Sequence, residues 1–179
     1  DAMVERMTVE NYFQILVDTL MGMWLPAWKL KRANQPASHP KFYFFDSGVA
    51  RALSGRLPYP PTQEELGALV ETTLLNEIRA YISYNKLHYE LFFWRNSSET
   101  EVDMFCETKN GYVAIEIKAG ERWDSKFNTG FRALREKLKR SQVNCFGVFQ
   151  GPQALSFDGI QVFPVVEFLK RLWGGEIIR

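Results

Sequence analysis

The sequence has 179 residues, of which 46% are apolar and 15% aromatic, and its formal net charge is +1. This length and composition predict a compact globular protein and exclude a disordered chain. Because the charge is nearly neutral, the sequence as a whole gives no electrostatic argument for nucleic-acid binding, and any such argument depends on where the cations lie.

Cysteine usage and hydropathy indicate a protein of the reducing cytoplasm. The two cysteines, Cys106 and Cys145, form neither a disulfide framework nor a metal-binding pattern, and we expect them to be small core residues. No apolar run approaches the roughly 18 residues needed to span a bilayer, and no signal peptide is recognisable. We therefore predict a cytoplasmic protein with no membrane contact. The opening Asp1-Ala2-Met3 leads us to expect a fragment of a longer protein.

The first part of the chain predicts a helix followed by two strands. Residues 8–21 have the period of an amphipathic helix, with Thr8 as a candidate N-cap. Four apolar residues share one stripe of this helix: Val9, Phe13, Leu16 and Leu20. Residues 23–30 then predict a strand, residues 31–40 a polar loop and residues 41–46 a second strand.

A helix followed by a two-stranded wing is the second half of a winged helix-turn-helix motif. Four cations make this wing basic: Lys29, Lys31, Arg32 and Lys41. One interpretation is contact with phosphates, and the alternative is a packing module between domains whose lysines are solvated. His39, beside Pro40 in the loop, is expected to face solvent.

The next segment contains the predicted domain boundary. Residues 46–56 predict a short helix, and the proline-rich run 56–63 must be irregular. We place the boundary there, which divides the chain into an appendage of residues 1–56 and a second domain of residues 57–179.

Residues 64–84 predict the longest helix, whose apolar positions cover a wide arc. Two glutamates, Glu71 and Glu77, lie inside that arc. A buried carboxylate is costly unless it is paired or bound to metal, so each glutamate requires a partner. A buried ion pair, for example with Arg95, is one interpretation, and a place in a functional site is the other.

The remaining elements outside the central hairpin follow from propensity and period. Residues 87–95 predict an aromatic-rich core strand, 123–140 a helix, 143–149 a buried strand, 160–163 a last edge strand and 164–173 a closing helix. Seven cations lie in or beside the helix at 123–140: Arg122, Lys126, Arg132, Arg135, Lys137, Lys139 and Arg140. They fit either a surface for a phosphodiester backbone or an ordinary solvated helix face.

Residues 101–107 and 112–120 predict two strands of a β-hairpin, joined by the turn at 108–111. Asn110-Gly111 is a strong two-residue turn signal, because both central positions of that turn require positive φ. If the loop has an even number of residues, the pairing of odd and even positions across the two strands is fixed, and with it the set of side chains that share a face.

The second strand of this hairpin alternates apolar and ionisable residues, which indicates two chemically different faces. With parity preserved, Asp103, Glu116 and Lys118 project from one face. Two carboxylates and a lysine are then expected within a few ångströms of each other.

Asp103 followed by Glu116-Ile117-Lys118 resembles the PD-(D/E)XK nuclease signature, with Val102 where the motif has its proline. Four runs of the chain, taken in order, are similar to the uncharacterised C-terminal domain of a large prokaryotic AAA-type ATPase family: residues 41–53, 66–82, 92–105 and 113–120. The resemblance implies an α/β, restriction-endonuclease-like αβββαβ core with a mixed sheet, preceded by a partial winged-helix-like helix and wing.

The resemblance also implies roles for the site residues. Glu71 matches a glutamate that the helix before the sheet supplies to the site, and Glu77 is the reserve candidate. Asp103 and Glu116 would bind Mg²⁺ or Mn²⁺, because carboxylate oxygens suit hard cations. Lys118 would orient or deprotonate the attacking water, or stabilise the developing oxyanion. Such a site hydrolyses phosphodiesters, and the resemblance implies DNA.

Two other classes of function stay open. The domain could be a non-catalytic regulatory or nucleic-acid-binding module of the ATPase, holding an Asp/Glu/Lys network without activity. It could also be a dimerisation domain, so a homo-oligomer is a further expectation. The sequence has no phosphate-binding loop of the GxxxxGK[ST] kind, so we expect ATP chemistry to reside in an ATPase module elsewhere in the parent chain.

Overall fold

The computed structural model describes residues 6–29, 39–139 and 141–179 and shows a mixed α/β fold. Its helices are α1 (Arg6–Asp18), α2 (Ser47–Leu53), α3 (Gln63–Tyr84), α4 (Thr129–Leu138) and α5 (Val165–Trp173), with a 3₁₀ turn at Ser125–Asn128. Its strands are β1 (Gly22–Leu25), β2 (Lys41–Phe44), β3 (Leu91–Arg95), β4 (Glu101–Thr108), β5 (Gly111–Ile117), β6 (Val143–Phe149), β7 (Leu155–Phe157) and β8 (Ile160–Pro164).

Six of the strands form one mixed sheet in the order β3-β4-β5-β6-β8-β7. The β3, β4 and β5 strands are antiparallel, β5, β6 and β8 are parallel, and β7 returns antiparallel at the edge. The prediction that residues 160–163 form the last edge strand was therefore wrong, because β7 lies outside β8. Asp158-Gly159 makes the two-residue turn between them, and both residues have positive φ.

The two faces of the sheet are covered by different helices. Alternation along β5 sends Ile115 and Ile117 into a core shared with α3 and α5, whereas Ala114 faces the core built on α4. The first core includes seven residues of these two helices: Leu74, Leu75, Ile78, Tyr81, Ile82, Phe168 and Leu172. The second includes three residues of α4: Phe131, Leu134 and Leu138. Cys106 and Cys145 are free and buried, as expected.

The appendage contributes to the first of these cores. β1 and β2 pair antiparallel as predicted, and Met23, Leu25 and Tyr43 pack with the apolar side chains of α3. After β1 the chain runs along β3, where Trp28 donates a backbone hydrogen bond of 2.7 Å to the Phe93 carbonyl. The boundary between residues 1–56 and 57–179 stays a prediction.

α1 differs from its prediction at both ends. It begins at Arg6, so Thr8 lies inside the helix and is not its N-cap. It ends at Asp18, and Leu20 lies beyond it with a positive φ and a side chain that is 82% exposed. The predicted apolar stripe therefore does not reach Leu20.

α3 agrees with its prediction because its start is strongly encoded. The Thr62 side chain accepts from the Glu65 N–H while Glu65 accepts from the Thr62 N–H, which is a capping box. The following strand begins at Leu91, later than predicted, because His88 has a positive φ and interrupts extended backbone.

The helix predicted at 123–140 begins later and in two pieces. A 3₁₀ turn precedes α4, whose first turn approaches β4 closely at Gly130. A Cβ on Gly130 would lie 2.2 Å from the Glu101 carbonyl oxygen, so only glycine fits there. Among the helices that the structure describes, none is long and apolar enough to cross a membrane.

Candidate functional site

Ionisable side chains from five elements meet at the end of the β4–β5 hairpin that is remote from its turn. We call this group the acid cluster. It contains four carboxylates and three cations: Glu71, Glu101, Asp103, Glu116, Lys41, Arg95 and Lys118. The structure therefore brings together all four residues that the sequence predicted as site residues, Glu71, Asp103, Glu116 and Lys118.

The hairpin positions Asp103 through a break in strand pairing. The β4–β5 register runs from the turn to Met104 opposite Ile115, and β4 shifts register against β3 in the same region. Asp103 lies just past the last paired residue, and its Oδ2 accepts a hydrogen bond of 2.7 Å from the backbone N–H of Ile117. The carboxylate thus takes the place of a backbone carbonyl as the acceptor for this strand N–H. Its position depends on this bond as well as on the predicted parity.

The hairpin turn itself is displaced by one residue from the prediction. Thr108 pairs with Gly111, so the two loop residues are Lys109 and Asn110, and of these loop and flanking residues only Gly111 has positive φ. The loop has an even number of residues, as the parity argument required.

Glu116 and Lys118 form a direct ion pair at the end of β5. Lys118 Nζ lies 2.6 Å from Glu116 Oε1 and 3.9 Å from Asp103 Oδ2. The other Glu116 oxygen, Oε2, is buried and has no hydrogen-bond partner among the described residues. An unpaired carboxylate oxygen in a buried site is costly, so Glu116 retains capacity for another donor or a cation.

An aromatic wall borders this ion pair on the side of β6. Gly147 lies opposite Glu116 in the parallel pairing, and the Trp123 ring packs so closely there that a Cβ on Gly147 would lie 2.6 Å from it. Trp123 donates a 3.0 Å hydrogen bond to Asn128 Oδ1 and packs edge to face on Phe127. Lys118 Nζ lies 5.4 Å from the centroid of the Phe127 ring.

Lys41 lies on the wing, as the sequence predicted, but the expectation that it contacts phosphate or solvent was wrong, because it is a member of the acid cluster. Its Nζ lies 3.1 Å from Glu71 Oε1 and 4.0 Å from Asp103 Oδ1, and it also pairs with Glu101. Tyr43 donates a short hydrogen bond to the same Glu71 oxygen. The signal was present in the sequence, because Lys41 and Tyr43 alternate with phenylalanines along β2 and so share its buried face.

The predicted partner of Glu71 and Glu77 was also wrong. Arg95 lies opposite Glu101 in the β3–β4 register, and its Nε donates to Glu101 Oε2 at 2.6 Å. Glu77 accepts a 2.9 Å hydrogen bond from the Trp173 indole instead. Glu77 is therefore not part of the acid cluster.

Burial shifts the ionisation of the central carboxyls. Burial first, and then the charge of Glu71, raises the pKa of Asp103 above its ordinary value. Burial, followed by the charge of Asp103, raises the pKa of Glu116 to about 8. Burial alone would lower the pKa of Lys118, but the charges of Asp103 and Glu116 outweigh it, and the pKa is raised. The cost of burying the two carboxylate charges is therefore not fully offset by neighbouring cations, whereas Lys118 stays charged.

When Glu116 is ionised, which its raised pKa delays to about pH 8, the charges that the structure describes leave room for one more cation. Four carboxylates face three cationic side chains in the acid cluster, and Glu116 Oε2 has no partner. No group of three or more His, Cys, Asp or Glu within the described residues is arranged to hold a metal. A divalent ion at Asp103 and Glu116 would accordingly need water for most of its ligands, which Mg²⁺ tolerates.

The cations of the predicted basic stretch at 122–140 are in part engaged within the fold and in part exposed, and four of those described are exposed: Arg122, Lys126, Arg132 and Lys139. Arg132 lies 3.2 Å from Asp158, and Arg135 donates to the carbonyls of residues 143, 158 and 159. Lys137 lies over the Trp94 ring. On the wing, Lys29 is exposed. Three of the predicted cations lie outside the described residues: Lys31, Arg32 and Arg140.

The comparisons with known proteins identify a family without an assigned activity. A domain of unknown function, DUF4143, matches residues 66–168, and a second domain of unknown function, DUF8612, matches residues 1–59. Uncharacterised proteins of Mycobacterium bovis and of Mycobacterium tuberculosis are each 29% identical to the chain over 118 residues, which is 64% of this chain. The chain spans about a quarter, 26%, of the length of these relatives. No solved structure matches it.

The DUF4143 match covers the whole acid cluster except Lys41 and more than half of the chain. That domain is associated with the C-terminal regions of AAA-type ATPases. The chain belongs to the DUF4143 family.

Proposed function

We propose that this domain is a metal-dependent phosphodiester hydrolase of the restriction-endonuclease-like, PD-(D/E)XK class, acting on nucleic acid as the C-terminal part of an AAA-type ATPase. One observation carries the proposal: Asp103 and Glu116 are buried side by side with Lys118, and Glu116 Oε2 has no partner among the described residues. Buried carboxylates with raised pKa values next to a lysine are typical of functional sites.

The cluster residues have separate roles in this proposal. Asp103 and Glu116 would hold Mg²⁺ or Mn²⁺, which when bound lowers the pKa of a water ligand and neutralises charge on the phosphate. Lys118 Nζ, held between the two carboxylates and the Phe127 ring, would donate to the attacking water or to the phosphate oxygens. Glu71 is engaged by Lys41 and Tyr43, so its role would be to orient Lys41 beside Asp103.

A second candidate is a non-catalytic regulatory or nucleic-acid-binding module of the same ATPase. The direct ion pair of Lys118 with Glu116, together with the Lys41 contacts, favours it, because two ammonium groups already compensate most of the carboxylate charge. In that case the acid cluster is a structural network that joins β2, α3 and the hairpin.

The experiment is a calorimetric titration of Mn²⁺ into the wild-type protein and into Glu116→Gln, followed by a plasmid-nicking assay on the same samples. The matched control is Glu107→Gln, a carboxylate on the same hairpin that is exposed and outside the cluster. Binding and nicking that are lost in Glu116→Gln but kept in Glu107→Gln would support the hydrolase. If the protein binds the metal but does not nick the plasmid with any divalent ion tested, the non-catalytic module is favoured. Absence of binding in the wild type would refute the metal site.

A further inference from the structure

A second concave site lies away from the acid cluster, between the C-terminal half of α3 and the edge of β1. It is a cavity of about 580 Å³, within the range of roughly 300–1,000 Å³ that is typical of small-molecule sites. Its wall includes three basic side chains, Arg79, Lys86 and His88, and none of its lining residues is acidic. Arg79 lies eight residues beyond Glu71, which is about 12 Å further along the helix axis.

The cations of this cavity have no counter-ion in the described part of the chain. Neither Arg79 nor Lys86 has a side-chain ion pair there, unlike the lysines of the acid cluster. The surrounding protein desolvates the Arg79 guanidinium and lowers its pKa, with no carboxylate to oppose the shift. Both side chains are exposed, so an anion that enters the cavity could reach them without displacing a carboxylate of the described residues.

Two of these basic residues, which follow α3, have unusual backbone conformations. Lys86 and His88 have φ values of 53° and 54°, in a region that non-glycine residues seldom adopt. The Lys86 conformation is part of the helix end, where its N–H donates to the Ser83 carbonyl. Such strain concentrates at ligand sites. The helix end contributes only about half a negative charge, which the two cations outweigh.

The lining of the cavity also includes apolar and aromatic residues. Leu25, Leu91 and Trp24 contribute to it, and the Trp24 side chain is 36% exposed. The Trp24 ring is held by Phe13 and Phe42, whose centroids lie 5.3 and 5.0 Å from it. A fixed, partly exposed indole in the lining of the same cavity as these cations suits a ligand with one anionic end and one planar end.

We propose that this cavity binds a nucleotide, with the phosphate on Arg79 and Lys86 and the base against Trp24. Ser83 and His88 supply further polar contacts at the phosphate end. The nucleotide can be free or can be one unit of a single strand, since both present the same phosphate and base. The site does not depend on chemistry at the acid cluster.

The test is calorimetric titration of the protein with AMP, with ribose 5-phosphate and with a single-stranded five-nucleotide oligothymidylate. Arg79→Met and Lys86→Met should each weaken binding by about tenfold or more, since each removes a charged hydrogen bond to phosphate. The matched control is Lys109→Met, an exposed lysine at the hairpin tip. AMP should bind at least about fivefold more tightly than ribose 5-phosphate, because stacking contributes about 1 kcal/mol or more per base.

Each outcome decides the proposal. Binding of AMP that is weakened in the two cavity variants and kept in Lys109→Met supports a site for free nucleotides. If only the oligonucleotide binds, and its binding is weakened in the two cavity variants but kept in Lys109→Met, the cavity is a site for one unit of a single strand. Equal affinities for AMP and ribose 5-phosphate would refute contact with a base. If no ligand binds, or if Arg79→Met and Lys86→Met leave binding unchanged, the proposal is overturned.

Discussion

Replacement of Lys41 by methionine tests whether the acid cluster contributes to the stability of the fold. Methionine keeps most of the apolar stem but removes the ammonium group that contacts Glu71, Glu101 and Asp103. The three carboxylates then lie close together without the cation that compensates them. We expect a large loss of stability, since carboxylates that lose a partner keep their desolvation cost.

The magnitude follows from the exposure of the partners. The Lys41 side chain is 25% exposed, and its carboxylate partners are 12–22% exposed. An exposed ion pair contributes about 0–1 kcal/mol, whereas breaking a buried pair costs about 3–5 kcal/mol. A partly buried cation with three partners lies between these limits, and we expect about 2 kcal/mol of lost unfolding free energy.

The assay is urea-induced unfolding of the wild type, Lys41→Met and Lys29→Met. Lys29 is exposed, on the segment that follows β1, so its replacement should change the unfolding free energy by less than about 0.5 kcal/mol. The double variant Lys41→Met/Glu71→Gln should lose less than the sum of the two single variants, with a coupling of about 1 kcal/mol or more. Equal losses in Lys41→Met and Lys29→Met, or additive losses in the double variant, would refute the reasoning.

Two further predictions concern the same region. The pKa of Glu116 is about 8 in the folded state against an ordinary 4.5, so its protonated form stabilises the fold below pH 4.5 and this contribution is lost as the pH rises through about 8. The thermal midpoint should therefore fall over that interval, and should fall less in Glu116→Gln; parallel curves would contradict the assignment. Gly130→Ala should lose about 1–3 kcal/mol in urea unfolding, because its Cβ would meet the Glu101 carbonyl. Gly67→Ala, in open space on α3, is the control and should be neutral or stabilising.

The parts of the structure that were predictable are those with local signals. α3 has a capping box and a long apolar arc, and the β4–β5 hairpin has alternation and a glycine at its turn. Asp158-Gly159 was an equally local signal for the β7–β8 hairpin, but the strands beside it are short and one of them is exposed. The close approach of α4 to β4 could not be predicted, because Gly130 contacts Glu101, which is distant in the sequence.

The residues of the candidate site also divide into those predictable from local sequence and those placed by tertiary packing. Asp103, Glu116 and Lys118 lie on one hairpin or directly after it, so sequence spacing predicted their proximity, although the bond from Ile117 N–H also positions Asp103. Lys41 and Arg95 reach the cluster through the packing of β2 and β3, and sequence spacing gives no distance between separate elements. For that reason the sequence assigned Arg95 to Glu71 or Glu77, whereas the strand register assigns it to Glu101.

The position of Lys41 connects the appendage to the chemistry of the site. β2 belongs to the predicted appendage, yet its Lys41 and Tyr43 contact Glu71, and Lys41 also approaches Asp103. Any movement of the β1–β2 hairpin would remove one cation from three carboxylates, and for Asp103, whose pKa the Lys41 charge lowers, it would raise the pKa further. The charge available at Asp103 is therefore set by how the appendage packs on α3. A hydrolase would need that packing to hold its carboxylates ionised, and a structural module would need it for stability.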